Sequence, residues 1–182
     1  MKKFLKRQIG RAGQPVANND GWAIMSAMIA IFIGLIMMAG IFGLVQIAMT
    51  GSNVQKAQDN IGTMRSSIQQ LFAGQPDYTG LTTDLARRAG VFPGTMIDGS
   101  NNVRNAWSGQ VNVSTGNPST RFEIAYNGVP EEECIRLAPF GYGTWASVSV
   151  GGSSISQSGG GAVADAVNAC SGNSNMITFE SE

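Results

Sequence analysis

The chain is 182 residues long, with 43% hydrophobic and 13% charged residues, two cysteines and no histidine. Without histidine there is no Ser-His-Asp triad, no Cys-His pair and no zinc site with a His ligand, and two cysteines do not make a Cys₄ site. Twelve basic side chains balance twelve acidic ones, which argues against a strongly basic nucleic-acid binder.

The first 21 residues carry Lys2, Lys3, Lys6, Arg7 and Arg11, with Asp20 as their only acid. No charged residue then occurs until Lys56. Within that gap Trp22 to Val45 reads WAIMSAMIAIFIGLIMMAGIFGLV, in which only Ser26 is clearly polar. A helix of that length spans about 36 Å, enough to cross a hydrocarbon core of ~30 Å. Basic residues before a single apolar span predict a cytoplasmic N-terminus with the remainder across the membrane. The apolar run starts directly after Gly21, so cleavage there leaves the anchor on the mature chain, unlike an ordinary secretory signal. Removing 21 of the 182 residues leaves seven basic and eleven acidic side chains, so the neutral total joins a basic leader to a mildly acidic product.

After Thr50-Gly51-Ser52, apolar residues recur at Val54, Ala57, Ile61, Met64, Ile68 and Leu71, while Lys56, Asp59, Arg65 and Gln69 lie off the stripe. These spacings of three and four predict one helix from about Trp22 to Ala73, apolar all round in its first half and one-faced in its second. Gly34, Gly40 and Gly43 allow close helix approach, and Gly40, Gly43 and Gly51 are weak points for bending. Met25, Met28, Met37, Met38 and Met49 read as adaptable apolar packing rather than a soft-metal site.

Ala73 to Asp77 ends the helix. Leu81 to Ala89 reads as a short helix closed by Gly90, with Asp84 placed to pair with Arg87 or Arg88. Gln110 to Ser114 and Arg121 to Tyr126 alternate as strands, which puts Phe122, Ile124 and Tyr126 on one face, toward the helix stripe. Trp107 reads as a core or edge anchor. Pro130 opens a short helix with Glu131, Glu132 and Glu133 at its positively polarised N-terminus. Consecutive helical residues point in different directions, so these acids serve the helix end, or basic groups on a neighbouring chain, rather than one ion. Thr144 to Val150 is a strand, the Gly- and Ser-rich Gly151 to Gly161 a mobile loop, Ala162 to Ala169 a helix and Met176 to Phe179 a final edge strand.

Cys134 and Cys170 are the only cysteines, and the predicted topology places both outside the cytoplasm, where disulfides persist. A bridge between them would stabilise the fold by about 3–4 kcal/mol in the chain-entropy model. Two free thiols or a redox pair is the alternative, without a C-x-x-C spacing to support it.

The basic leader, Gly21, and Trp22-Ala23-Ile24-Met25 opening the apolar helix resemble a type IV prepilin. The 21-residue leader and a first mature residue other than Phe resemble the type IVb branch, and most closely the thin-pilus major prepilins of conjugative plasmids. Trp107-Ser108-Gly109 and the two distal cysteines add to the resemblance. It implies an α+β fold: a long N-terminal helix packed on a small antiparallel sheet, with a disulfide-bounded C-terminal region. It also implies three parts: a cleaved leader at 1–21, a transmembrane and filament-core half-helix at 22–53, and a periplasmic or surface-exposed head at 54–182 that includes the amphipathic half-helix.

By the same resemblance a prepilin peptidase cuts between Gly21 and Trp22, Trp22 is N-methylated, and Trp22 and Ser26 take part in filament assembly. Membrane lipid solvates the apolar half-helix before assembly and sister helices do so afterwards. Inner-membrane machinery stacks the chains into a helical homopolymer. The protein thus passes from the bacterial inner membrane, N-terminus cytoplasmic and head periplasmic, to an extracellular pilus for cell–cell contact in conjugation or adhesion. No enzyme activity, cofactor, metal or nucleic-acid partner is implied. The family's usual Glu at the fifth mature position is Ser26 here. A buried ammonium needs a partner, and Ser26 accepts a hydrogen bond without neutralising charge. The alternative is therefore a minor pilin or type II secretion pseudopilin that primes or caps a filament. The plain structural role for Ser26 is a bond to a backbone carbonyl one turn back.

Overall fold

The structure, a computed structural model, describes residues 20–182, with side chains described at 25–35 and 51–182. Residues 1–19 of the expected leader lie outside the described residues. The chain divides into two compact units, Met1–Val45 and Gln46–Glu182.

Helix α1 runs Asp20–Leu71, within two residues of the boundaries that periodicity predicts. In the second unit its stripe is buried at Val54, Ala57, Ile61, Met64 and Ile68. Leu71, expected on the same stripe, is exposed. It is the last helical residue, and the apolar contact passes instead to Phe72, whose ring lies 5.3 Å from Tyr78, itself 4.8 Å from Phe122.

Five antiparallel strands form one sheet: β1 (Val111–Thr115), β2 (Phe122–Val129), β3 (Ser147–Val150), β4 (Ser153–Ile155) and β5 (Asn175–Ser181), in the order β1-β2-β5-β3-β4. Strand side chains alternate with period two, so register decides what faces the helix. One row reads Val113, Ile124, Phe179, Val148 and Ile155 across all five strands, and every member is buried with the helix stripe. Burying a side chain of this size contributes about 1.5–3 kcal/mol, so the row and the stripe form the principal apolar contact of the head. The opposite face reads Asn112, Ala125, Thr178, Ser149 and Ser154 in the same register, small and polar.

Helix α2 (Thr83–Arg88) guards the free edge of β1. Thr82 caps it by accepting from the Leu85 N–H at 3.2 Å, and Thr83 Oγ1 accepts from the Val113 N–H at 2.9 Å. A strand edge is thereby satisfied by two threonines rather than left open. Helices α3 (Glu131–Leu137) and α4 (Ala162–Ala169) pack together, and α4 also lies against β4.

Two expectations change. The Gly- and Ser-rich segment read as a mobile loop contains β4. Gly151 and Gly152 have φ of 57° and 89°, the paired positive φ of a two-residue hairpin turn, and Ile155 anchors the short strand in the core. The C-terminal strand read as an edge is central, between β2 and β3. Its burial alternates along Asn175–Ser181, with Ile177 and Phe179 fully buried.

Candidate functional site

In the first unit, Met25, Met28, Ile29, Ile31, Phe32, Ile33 and Leu35 are all exposed, Phe32 at 68%. Their angular spread covers the helix on every side, and Gly34 has no atom near the position a Cβ would take. A helix apolar all round needs a surrounding phase, lipid or protein, and a contiguous exposed apolar surface marks an association site. Ser26 is exposed on the same segment. Gly21 and Trp22 fall in the first residues of α1, and the Trp22 side chain lies outside the described residues. Among the described residues no helix is long and apolar enough to cross a membrane. Of the expected span Trp22–Val45, side chains are described only at 25–35.

The head is held by three clasps. The first is the Cys134–Cys170 disulfide, with Cα atoms 5.9 Å apart, which ties α3 to the C-cap of α4. Both cysteines are buried. The second is Asn175, whose Nδ2 donates to Val129 O at 3.0 Å and to Gly172 O at 3.2 Å while its Oδ1 accepts from the Ser171 N–H at 2.9 Å. This buried amide fixes the turn that follows the disulfide.

The third clasp explains Trp107-Ser108-Gly109. Asn105 Oδ1 accepts from the Trp107 and Gly109 N–H groups at 3.0 and 2.8 Å, and Asn105 Nδ2 donates to Asn127 O at 2.7 Å. A Cβ on Gly109 would lie 1.8 Å from Asn127 O. The loop thus lies backbone against backbone on the β2 bulge, where the β2–β5 register shifts between Tyr126 and Val129. Trp107 is half-buried against the core, in line with its reading as an anchor.

The acidic first turn of α3 does not converge. Glu131 Oε2 accepts from the Gly172 N–H at 3.0 Å, and Glu132 pairs with Arg136 at 2.6 Å. Among the described residues there is no group of three His, Cys, Asp or Glu side chains placed to hold a metal ion. Asp84 pairs with both Arg87 and Arg88, at 2.6 and 2.7 Å, as their spacing predicts. The Asn102 N–H, Arg104 and the Asn102 amide hold the Asp98 carboxyl well below the usual carboxylate range. On the open face of the sheet, burial and then the facing Glu180 push the Glu123 carboxyl up. Sequence reading missed Arg65, whose Nε donates to the buried Ser181 Oγ at 2.8 Å and whose guanidinium lies 4.8 Å from the Trp145 ring centroid. These partners are 116 and 80 residues away, beyond any local pattern.

The family described as PilS N terminal matches residues 51–182. The chain is 24% identical over 129 residues to the major structural subunit of bundle-forming pilus of Escherichia coli O127:H6 (strain E2348/69 / EPEC), covering 69% of this chain and 67% of that protein. The same protein of Escherichia coli O111:H- matches equally. Among solved structures, a type IV b pilin from Salmonella typhi is similar with a TM-score of 0.52 and 20% identity, over 71% of this chain and 97% of that one. TcpA, a type IV pilin from Vibrio cholerae El Tor biotype, is similar with a TM-score of 0.50 and 12% identity, over 72% and 99%. The long helix, five-stranded antiparallel sheet and C-terminal disulfide of this chain are the fold those structures share with it.

Proposed function

The chain belongs to the PilS N-terminal family and has the type IVb pilin fold, and from that premise we propose that it is a structural subunit of a type IVb pilus rather than an enzyme. The observation that carries the reading is the exposed apolar segment at 25–35 in a chain of this family. Apolar burial yields about 25 cal/mol per Å² without regard to direction. The same surface therefore suits lipid in one state and sister helices in another. The subunit polymerises with copies of itself, and the product is an extracellular filament.

The finer steps belong to the same proposal. The chain waits in the inner membrane with its N-terminus cytoplasmic and its head periplasmic. A prepilin peptidase removes residues 1–21, Trp22 is N-methylated, and inner-membrane assembly machinery extracts the helix into the filament. Residues 22–53 form the filament core and residues 54–182 the surface head. The filament then serves cell–cell contact in conjugation or adhesion. Gly21→Ala is expected to slow leader removal, seen as a larger band on a denaturing gel and an unprocessed N-terminus by mass spectrometry. Unchanged processing would contradict the junction.

Ser26 favours a second reading, a minor pilin or type II secretion pseudopilin that primes or caps a filament, because it supplies no charge to a buried N-terminal amine. Abundance in sheared filaments separates the two: a major subunit dominates the preparation, and a priming subunit is a trace component.

A further inference from the structure

Charge is unevenly divided along the head. Residues 51–106 hold five basic and four acidic side chains, and residues 107–182 hold two basic and seven acidic ones. Most of the cations are already engaged inside the chain: Arg87, Arg88, Arg104, Arg121 and Arg136 in salt bridges, and Arg65 on Ser181 and Trp145. Lys56 makes no salt bridge among the described residues. It is also the only lysine after Lys6. It is exposed in a polar groove that α1 and the loop before β1 form together, where Asn53, Asp59 and Asn60 face Arg104 and Asn105.

The matching excess of negative charge is the first turn of α3. Glu131 and Glu132 are exposed and Glu133 is half-buried. Glu132 alone of the three has a cation, Arg136. The topology separates the two features. The groove adjoins β1, since Arg104 bridges to Gln110 just before that strand, whereas α3 packs with α4, which lies against β4 at the opposite edge of the sheet. Two different complementary patches at opposite edges make a head-to-tail contact that propagates instead of closing a dimer.

We propose that the acidic first turn of α3 in one copy seats in the Lys56 groove of the next, pairing Lys56 with Glu131 or Glu133 across the subunit boundary. This rests on the reading of the chain as a pilus subunit. The pair sets register and partner choice between heads, while burial of the apolar helix supplies most of the cohesion. Charged pairs at a boundary act chiefly in this way, and like charges juxtaposed there are strongly disfavoured.

The test uses filaments of the full chain assembled from a mixture of ¹⁴N- and ¹⁵N-labelled subunits and treated with a water-soluble carbodiimide, which joins an amine to a carboxylate in direct contact. The expected product is a mixed-isotope peptide linking Lys56 to Glu131 or Glu133. Lys56→Glu is expected to lower filament yield about tenfold, and adding Glu131→Lys and Glu133→Lys in the same chain to restore it to within about twofold. Wild-type filaments whose Lys56 links only to other carboxylates, or a Lys56→Glu chain that assembles at the wild-type level, would overturn this inference and leave the subunit reading standing. A wild-type chain that forms no filaments would overturn both.

Discussion

Replacing Cys134 and Cys170 together by Ser is expected to lower the stability of the head by about 3–4 kcal/mol. The two residues are 36 apart in sequence, and the loop they close holds β3, β4 and α4. Much of that loop is glycine and serine, and its core contribution comes from a few residues, chiefly Val148, Val150, Ile155, Ala162 and Ala166. The unfolded chain without the bridge gains loop freedom that those few contacts do not offset. Two serine hydroxyls would also be left where buried sulfur now sits, a further cost unless they find partners. Denaturant unfolding of the full chain in detergent micelles, followed by tryptophan fluorescence, measures the effect. Trp145 lies inside the bridged loop and reports on it directly. A loss under about 1 kcal/mol would mean that Asn175 and the β3–β5 pairing hold the segment without the bridge.

Gly109→Ala is expected to destabilise the head by about 3 kcal/mol or more. Gly109 does not have a positive φ, so the demand is steric. The new Cβ meets Asn127 O at 1.8 Å and Asn127 C at 2.7 Å, and backbone atoms cannot rotate aside as a side chain does. Relief requires the loop to lift off β2, which breaks the hydrogen bonds that Asn105 makes to Trp107, Gly109 and Asn127. Gly62→Ala supplies the contrast. Gly62 is exposed within α1 with nothing near the Cβ position, so this change is expected to stabilise by about 0.5–1 kcal/mol through helix propensity. The same denaturation experiment reads both signs. Equal midpoints for the two variants would show that the loop accommodates a methyl group.

What the sequence made legible follows from periodicity. The stripe from Val54 to Ile68 and the alternation of Phe122, Ile124 and Tyr126 each declare a face, and the structure packs those faces together. The apolar run after Gly21 and the pair Cys134 and Cys170 are equally local signals. The misses are those that depend on position in space. A strand pattern at Met176–Phe179 says nothing of which strands will flank it, so β5 was placed at an edge although it lies at the centre. In β4 the Gly151-Gly152 turn signal was hidden by a composition that reads as linker. Leu71 kept the heptad-like spacing but fell one residue beyond the helix's contact with the core. The clasp at Gly109 needed Asn105 and Asn127 brought together across 22 residues, and the Arg65 contact with Ser181 spans 116. No window along the chain contains either pair.

The two halves of α1 divide the work between assembly and folding. The second half spends its apolar stripe on the sheet, so the head has a core of its own. The first half keeps its apolar residues outward, available to whichever apolar phase surrounds it. The membrane-held and polymerised states in this account thus differ in the neighbours of residues 25–35 and leave the fold of residues 51–182 unchanged.

Cryo-electron microscopy of filaments sheared from cells making the full chain tests that division most directly. The account predicts a central bundle in which Met25 to Leu35 of each copy packs on the same segment of its neighbours, with the heads outside. Filaments in which that segment faces solvent, or whose subunits lack it, would contradict the account.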